Sequence, residues 1–381
     1  MMTAIFTLPA LAGGGAETHA IRLMNALSPS TFNVIAAPSR PGGSLMSRLA
    51  PHVRLRPLTE GGASSTLQIV RSRNPLRDLI DEVKADVVCS FLELPGIVAA
   101  SAVRASKRQP VHVACVQNTL SVRYGRGTRA SSRIGHRAVL SQVGRSYRQA
   151  DRIVALTHGV ADDFLTLYPE LGERVQVIYN AGMDDSVVLA RQEPIDVPPG
   201  PPLIVACGRL FEQKGYPILL EAIHTVVQSR PVRLWVLGEG PLRGELENQA
   251  EALGIAEQVT FLGFQSNPYG YMAAADLFVL SSHYEGFANV VVEALASGAP
   301  VVSTDCPHGP GEILSHGETG LLVPPGDPKA LAEAILVALG DSELREQFRR
   351  AGPARAERFH ADVIAREYAA MFRSVVGARI G

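Results

Sequence analysis

The sequence predicts an α/β protein made of two doubly wound, Rossmann-like domains. The chain has 381 residues, of which 46% are hydrophobic, and this is enough to bury two cores of ordinary size. Short apolar runs alternate with longer helical patterns along the chain, which is typical of parallel βαβ units. A proline-rich segment, residues 193–202, divides this alternation into two sets and reads as a linker.

The predicted strands are short β-branched or apolar runs. In the first half they are 4–8, 34–37, 86–90, 111–116, 152–156 and 175–178. In the second half they are 203–207, 234–237, 259–262, 277–280, 300–303 and 320–323. We therefore expect a first domain over 1–182 and a second over 200–360, joined near residue 195. The pattern of 341–376 is almost wholly helical, and the segment from about 361 to 381 is long enough to pack back on the first domain.

Formal charge is balanced over the whole chain but not between its halves. With 36 basic and 37 acidic side chains the net charge is −1, which gives no reason to expect a nucleic-acid partner. Residues 1–182 carry 21 basic and 12 acidic side chains, whereas residues 183–381 carry 15 and 25. Such a split is typical of domains that face different partners.

The cysteines and the opening segment bear on the compartment. Cys89, Cys115, Cys207 and Cys306 are far apart and form no C-x-x-C pair, so neither a zinc site nor a redox motif is indicated. The first basic residue is Arg22, so the apolar opening lacks the basic start of a secretory signal. No uncharged apolar run approaches the roughly 20 residues that span a bilayer. We expect a cytoplasmic protein.

A glycine loop follows the first predicted strand. Gly13, Gly14 and Gly15 precede a helical pattern, and backbone N–H groups at a helix N-terminus favour an anion. The loop is not the G-x-G-x-x-G dinucleotide fingerprint, because Thr18 stands where the third glycine is needed, and the loop at Gly238 fails the same test. A nicotinamide or flavin enzyme is poorly supported. Alone, the loop fits a tight turn equally well.

Two cations follow the first strand of the second half. Arg209 and Lys214 lie after 203–207, at the carboxyl end of a strand, where open α/β sheets bind ligands. Arginine can fork onto two phosphate oxygens, and lysine supplies a mobile point charge. In isolation the pair would be an ordinary charged turn, but beside the next pattern it predicts a diphosphate site.

The most specific pattern is the segment 281–294. A strand, a glycine turn and a helix follow in quick succession, so we expect Glu285 on the loop and Glu293 in a helix that starts near Ala288. The N–H groups of residues 287–290 then point out of the helix N-terminus, where they suit a phosphate. A carboxylate in the same loop can address the hydroxyls of a neutral sugar.

These motifs, in this order and spacing, resemble the retaining nucleotide-sugar glycosyltransferases of family 4. The matching segments are 13–17, G-R-L-x-x-x-K-G at 208–215, 238–242, the Glu-x7-Glu pair at 285 and 293, 298–302 and 318–323. The resemblance implies the GT-B fold, in which two Rossmann-like domains face a central cleft. Segment 306–312 resembles the variant of bacterial enzymes that extend surface polysaccharides or lipid-linked oligosaccharides from UDP-sugars.

The resemblance also implies residue roles. Arg209 and Lys214 would hold the donor diphosphate. Glu285 would lie by the transferred sugar, Glu293 would bind the ribose, and the loop at Phe264 and Gln265 would border the base. The catalytic candidates are Glu285, Arg209 and Lys214. The further donor-binding candidates are Gly14, Gly15, Gly238, Phe264, Phe287, Ala288, Asn289, Val290 and Glu293.

One position departs from the family pattern. Many relatives have a histidine at the end of the strand corresponding to 111–116, whereas Gln117 and Asn118 stand here, and both are candidate sugar or acceptor contacts. His112 lies mid-strand and fits a satisfied core histidine better than a base. For three further histidines only surface or packing roles are expected: His19, His136 and His158.

The implied reaction moves a hexosyl or N-acetylhexosaminyl unit from a UDP-sugar to a glycan or polyprenyl-diphosphate-linked acceptor, with retention of configuration. Negative charge grows on the departing diphosphate, which cations and helix N–H groups stabilise. No metal or cofactor is expected, since D-x-D patterns are absent from the sequence. Two alternatives share parts of the pattern: a GT-B sugar-nucleotide epimerase and a non-catalytic two-domain sugar-binding protein.

An arginine-rich tract spans residues 121–152. Its eight arginines are opposed by Asp151 alone, a net charge of +7. Arg126 and Arg129 begin a series spaced three or four apart that can line one side of a helix, and they are candidate acceptor contacts. A solvated helix face is the plain interpretation. We favour a surface for anionic membrane lipids or a polyprenyl diphosphate, on the inner face of the cytoplasmic membrane.

Overall fold

The computed structural model of the protein describes residues 1–61, 65–124 and 133–380. The chain divides into two compact units, Met1–Ala181 with Ala361–Gly381, and Gly182–His360.

The first unit is built on a parallel sheet of seven strands. Their bounds are β1 Met2–Leu8, β2 Phe32–Pro38, β3 Arg54–Leu55, β4 Val87–Phe91, β5 Val111–Val116, β6 Arg152–Ala155 and β7 Val175–Val177. The order across the sheet is β3-β2-β1-β4-β5-β6-β7, so the winding reverses between β1 and β4. Such a reversal opens a crevice at the carboxyl ends of the two strands.

Helices cover both faces of this sheet. They are α1 Gly15–Ala26, α2 Ser65–Arg71, α3 Arg73–Val83, α4 Glu93–Ala105, α5 Leu120–Tyr124, α6 Arg133–Tyr147, α7 His158–Leu167 and, from the end of the chain, α16 Ala361–Ile380. Short 3-10 helices lie at Met46–Arg48 and Pro169–Arg174. Successive residues of β1 pack into different cores. Phe6 lies in the core that includes residues of α16, and Ile5 lies in the core that includes residues of α3 and α4. Because both faces are covered, the central strands are continuous apolar runs.

The C-terminal helix α16 is part of the first core. The Phe372 ring centroid lies 6.2 Å from that of Phe6 and 6.3 Å from that of Phe32. Tyr368 and Phe372 are fully buried. Ile364, Tyr368 and Phe372 recur at the four-residue spacing of one helix face, and each large side chain contributes roughly 1.5–3 kcal/mol on burial.

The second unit is built on a parallel sheet of six strands. Their bounds are β8 Leu203–Cys207, β9 Arg233–Leu237, β10 Val259–Gly263, β11 Leu277–Leu280, β12 Val301–Thr304 and β13 Leu321–Val323. Its helices are α8 Asp185–Ala190, α9 Tyr216–Val227, α10 Arg243–Ala252, α11 Pro268–Ala274, α12 Asn289–Ala296, α13 Pro310–Ile313, α14 Pro328–Gly340 and α15 Ser342–Ala356, with 3-10 helices at Glu212–Lys214 and Glu357–Phe359. The strand order β10-β9-β8-β11-β12-β13 reverses between β8 and β11.

The predicted elements agree closely with this structure. All twelve predicted strands form, with ends displaced by two residues or fewer. The strand that was not predicted, β3, has two residues, too few to show alternation. The predicted helical segment 341–376 is two helices, α15 and α16, because His360 is extended between the 3-10 helix Glu357–Phe359 and the start of α16. In the described part of the chain, no helix has both the length and the apolar character needed to cross a membrane.

The proline-rich segment 193–202 lacks helix and strand, as predicted. Arg233 donates through Nη1 to the Pro198 carbonyl (2.7 Å) and through Nε to the Pro201 carbonyl (3.0 Å), which ties the segment to the second unit. The two compact units meet in sequence at Ala181 and Gly182, and residues 193–202 lie within the second of them. A proline-rich segment can lack helix and strand and still pack against its domain.

Candidate active site

The loop after β8 is brought against the end of β11 by a glycine. Gly215 has φ 61°, and a Cβ placed there would lie 2.1 Å from the Ser281 carbonyl oxygen. Only glycine accepts both the left-handed conformation and this approach. The Ser281 hydroxyl donates to the Lys214 carbonyl (2.9 Å), which fixes Lys214 beside the β11 loop.

Lys214 and Glu285 form an ion pair at the switch point between β8 and β11. Nζ and Oε1 are 2.5 Å apart, and the side chains are 16% and 8% exposed. The Ser282 hydroxyl donates to the same Glu285 oxygen (2.7 Å). Both residues were predicted for the site, but their contact was not. Lysine has three N–H donors and Glu285 occupies one of them, so Lys214 can also serve an anion.

Arg209 lies on the same loop and is exposed. Its guanidinium carbon lies 5.2 Å from the Phe211 ring centroid, a stacked contact that orients the side chain. In the described ranges, no carboxylate forms an ion pair with this guanidinium. Its planar fork is therefore available to a phosphate. Phe211 was missed by the sequence analysis, since nothing marks it apart from other apolar loop residues.

The turn between β11 and α12 is tightly built. Phe287 and Ala288 are buried, and Ala288 is left-handed with φ 67° and ψ 56°. Gly309 packs on the turn, because a Cβ there would lie 2.7 Å from the Phe287 carbonyl oxygen. The helix begins at Asn289, one residue after the predicted start. The first-turn N–H groups, including those of Asn289 and Val290, lie at its positively polarised end.

Two thiols report where the carboxylates lie. Burial and the Glu293 carboxylate raise the pKa of the Cys207 thiol to about 12. Burial and the Glu285 carboxylate raise the pKa of the Cys306 thiol to about 12. Both thiols are therefore protonated and unreactive at neutral pH. As expected from the sequence, Glu285 lies on the loop before α12 and Glu293 lies within that helix. The two thiols, which were not assigned to the site, are near enough to be influenced by these carboxylates.

The loops after β9 and β10 complete this edge of the sheet. Gly238 has φ 131°, and a Cβ there would lie 2.0 Å from the Gly208 carbonyl oxygen. Phe264 follows β10 and is 73% exposed. Gln265 holds its loop by donating to the Leu262 carbonyl (2.8 Å) and accepting from the Tyr271 hydroxyl (3.1 Å). An exposed aromatic face on an ordered loop suits stacking with a base.

The remaining predicted residues belong to the first unit. Gly14 is the N-cap of α1, which begins at Gly15, after the carboxyl end of β1. Gln117 is buried at the end of β5, and the Asn118 amide Nδ2 donates to Glu93 Oε1 (3.0 Å). Glu93 is buried and was not predicted, because a lone glutamate after an apolar run has no motif. Arg126 and Arg129 lie outside the described residues.

The histidines of the first unit are mostly structural. His112 Nε2 lies 3.0 Å from the Ser90 hydroxyl, and burial lowers the pKa of His112 to about 4. Within the described chain its Nδ1 has no hydrogen-bond partner, so this core histidine is only half satisfied. His19 Nδ1 accepts from the Ala181 N–H (2.8 Å), and burial together with the Arg22 charge lowers its pKa to about 3. His158 is exposed, and the side chain of His136 lies outside the described residues.

Two family descriptions match the chain, one on each unit. Residues 13–182 match "Glycosyltransferase Family 4", and residues 190–355 match "Glycosyl transferases group 1". The chain belongs to the glycosyltransferases of family 4. The resemblance that the motifs indicated is thereby confirmed.

Curated relatives of this family 4 glycosyltransferase include two bacterial enzymes that match more than half of the chain. The chain is 36% identical over 208 residues to the lipopolysaccharide core biosynthesis glycosyltransferase LpsE of Rhizobium meliloti, covering 54% of this chain and 59% of LpsE. It is 31% identical over 221 residues to the N-acetylgalactosamine-N,N'-diacetylbacillosaminyl-diphospho-undecaprenol 4-alpha-N-acetylgalactosaminyltransferase of Campylobacter jejuni, covering 58% of this chain and 60% of that enzyme. The matches span about three fifths of each relative.

A solved structure shares the fold. The crystal structure of HepE from Anabaena in complex with UDP aligns with a TM-score of 0.77 at 22% identity, over 98% of this chain and 100% of HepE. At this identity the likeness shows the fold, which is the pair of Rossmann-like domains of GT-B glycosyltransferases. The predicted fold class is confirmed.

Proposed function

We propose that the protein is a retaining glycosyltransferase that moves a hexosyl or N-acetylhexosaminyl unit from a UDP-sugar to a hydroxyl of a glycan or lipid-linked acceptor. The observation that carries the proposal is the Lys214–Glu285 pair at the switch point of the second unit, with the Arg209 guanidinium on the same loop. The names of the relatives, in lipopolysaccharide core and diphospho-undecaprenol chemistry, support bacterial surface glycan synthesis.

The donor would lie along the carboxyl edge of the second sheet. Arg209 and Lys214 would bind the diphosphate together with the N-terminus of α12, Glu293 the ribose, and Phe264 the base. Glu285 would lie at the transferred sugar. Its Oε1 already accepts from Lys214 and Ser282, so it is held as a hydrogen-bonding carboxylate and suits orientation of the sugar better than proton removal.

The chemical step breaks the bond between the anomeric carbon and the diphosphate oxygen and forms one to the acceptor oxygen on the same face. In this front-face mechanism the acceptor proton passes to the departing phosphate, so no protein base is required. Arg209 and Lys214 stabilise the charge that grows on the diphosphate, which also suits a reaction without a divalent metal. Activity that persists in EDTA would support this part of the proposal.

The first unit would bind the acceptor through Gln117 and Asn118. The tract 121–152 would hold the protein on the inner face of the cytoplasmic membrane through anionic lipids. Replacement of Arg126, Arg129, Arg133 and Arg137 by Gln should then weaken salt-sensitive binding to anionic vesicles and leave UDP affinity unchanged. Equal binding by wild type and variant at low salt would contradict the membrane role.

The activity is tested by incubating the protein with UDP-glucose, UDP-galactose and UDP-N-acetylglucosamine, each with and without a panel of neutral glycosides. Transfer to a glycoside, with the anomeric configuration of the donor retained in the product, supports the proposal. Formation of an epimeric UDP-sugar without acceptor would favour an epimerase instead. Stabilisation by free sugar but not by UDP would favour a sugar-binding protein.

A further inference from the structure

A buried carboxylate lies at the switch point of the first unit. Glu93 is the first residue of α4, separated from β4 by Leu92 alone, and it is only 7% exposed. The winding of the sheet reverses between β1 and β4, so Glu93 lies at the crevice where open α/β sheets bind ligands. A carboxylate is rarely buried without a purpose that offsets its desolvation.

The carboxylate is oriented by residues of neighbouring elements. Asn118, after β5, donates to Oε1 (3.0 Å), and the Arg123 Nε of α5 lies 4.0 Å from Oε2. The carboxylate also influences two tyrosines. Burial is the largest cause that raises the pKa of Tyr124 and of Tyr147, and the charge of Glu93 is the second. Glu93 is therefore the centre of a polar cluster contributed by α4, α5 and the loop after β5.

The role of a helix cap does not explain Glu93. The N-cap of α4 is Leu92, whose side chain makes no capping hydrogen bond, and the Glu93 carboxylate contacts Asn118 and Arg123 of other elements. Leu92 has φ 72° and ψ 161°, a conformation that a non-glycine residue adopts only under strain. The fold thus accepts backbone strain at the residue that directs Glu93 into its position.

We propose that Glu93 is an acceptor-binding residue that accepts a hydrogen bond from a hydroxyl of a neutral glycan, while Asn118 holds its other oxygen. This inference rests on the proposed function and names the chemistry of its acceptor site. A buried carboxylate repels phosphate. The neutral glycan end of a lipid-linked acceptor, and not its diphosphate, therefore occupies this crevice.

The test compares wild type, Glu93→Gln, Glu93→Asp and the exposed control Glu173→Gln. Binding of methyl α- and β-glucosides, galactosides and N-acetylglucosaminides is measured by saturation-transfer NMR, with and without UDP. We expect wild type to bind at least one glycoside and Glu93→Gln to bind it at least tenfold more weakly. Glu93→Asp, which keeps the charge, should recover part of the affinity, and Glu173→Gln should match wild type.

Melting temperatures and UDP binding are read on the same proteins. Equal UDP binding by all four with selective loss of glycoside in Glu93→Gln supports the inference. Unchanged glycoside affinity in Glu93→Gln, or no glycoside bound by wild type while UDP binds, overturns it alone. If Glu93→Gln does not fold, Glu93→Asp decides. A wild-type-like melting temperature with weakened glycoside binding then supports the inference, and unchanged glycoside binding overturns it. Failure of wild type to bind UDP would overturn the proposed function and this inference with it.

Discussion

The Lys214–Glu285 ion pair should stabilise the second unit as well as serve the donor. Nζ and Oε1 are 2.5 Å apart in a pair that is 16% and 8% exposed. Removing one partner of a buried pair costs about 3–5 kcal/mol, because the other charge is left uncompensated. Since Lys214 is partly hydrated, we expect Lys214→Met to lower the free energy of unfolding by about 3 kcal/mol, the lower end of that range.

A double-mutant cycle measures this directly. Unfolding of Lys214→Met, Glu285→Gln and the double variant is followed by the fluorescence of Trp235, the single tryptophan, which lies in the second unit. The double variant should be more stable than the sum of the single changes predicts, by at least about 1 kcal/mol. The exposed pair Lys329–Glu333, with side chains 83% and 66% exposed, is the matched control and should couple by less than about 0.5 kcal/mol. Turnover of Lys214→Met should fall at least about tenfold. Equal coupling in the two pairs would refute the reasoning.

Three further predictions concern the donor site and the cores. Glu285→Gln should mainly lower turnover and Glu293→Gln mainly UDP affinity, by at least about tenfold in calorimetry; normal UDP binding by Glu293→Gln would make the ribose assignment wrong. Gly215→Ala should destabilise by at least about 3 kcal/mol, because its Cβ would meet a backbone oxygen at 2.1 Å in a left-handed conformation. Gly244→Ala, in α10 with nothing within 4 Å, should instead stabilise by up to about 1 kcal/mol. The pKa of His112 is lowered to about 4, so its contribution to stability is complete above pH 6.5 and is lost as pH falls toward 4. Wild type should lose unfolding free energy as the pH falls from 6.5 to 5, and replacing His112 by Gln should reduce this loss by about 2 kcal/mol. An equal loss in both proteins would contradict the burial argument.

The strands, and the positions of the motif residues on loops and helices, could be predicted because their signals are local. Apolar runs bounded by helical patterns predicted twelve strands. Gly215 and Gly238 stand where a Cβ would lie about 2 Å from a backbone oxygen, so these positions require glycine. Glu293 lies in α12, as expected, because the helical pattern that contains it begins directly after the glycine turn.

Other features depend on which elements meet in space. Lys214 and Glu285 are 71 positions apart in sequence. They meet because β8 and β11 are neighbours in the sheet, which neither segment predicts by itself. Glu93 and Asn118 meet because β4 and β5 are neighbours. The packing of residues 193–202 on the second unit is set by Arg233, a side chain on a distant strand, and the local sequence pattern does not predict it.

The most direct test is the shift in melting temperature that UDP, GDP and ADP produce in wild type and in Arg209→Ala. Arg209 is exposed, so its replacement should leave the fold intact. A ligand that binds only the native state, at about 100 times its dissociation constant, adds about 2.7 kcal/mol of stability. We predict that UDP stabilises wild type more than GDP or ADP does, and that Arg209→Ala loses most of this stabilisation at the same UDP concentration. Equal stabilisation of both proteins by UDP, or none of wild type by any nucleotide, would contradict a nucleotide-sugar site at the carboxyl edge of the second sheet.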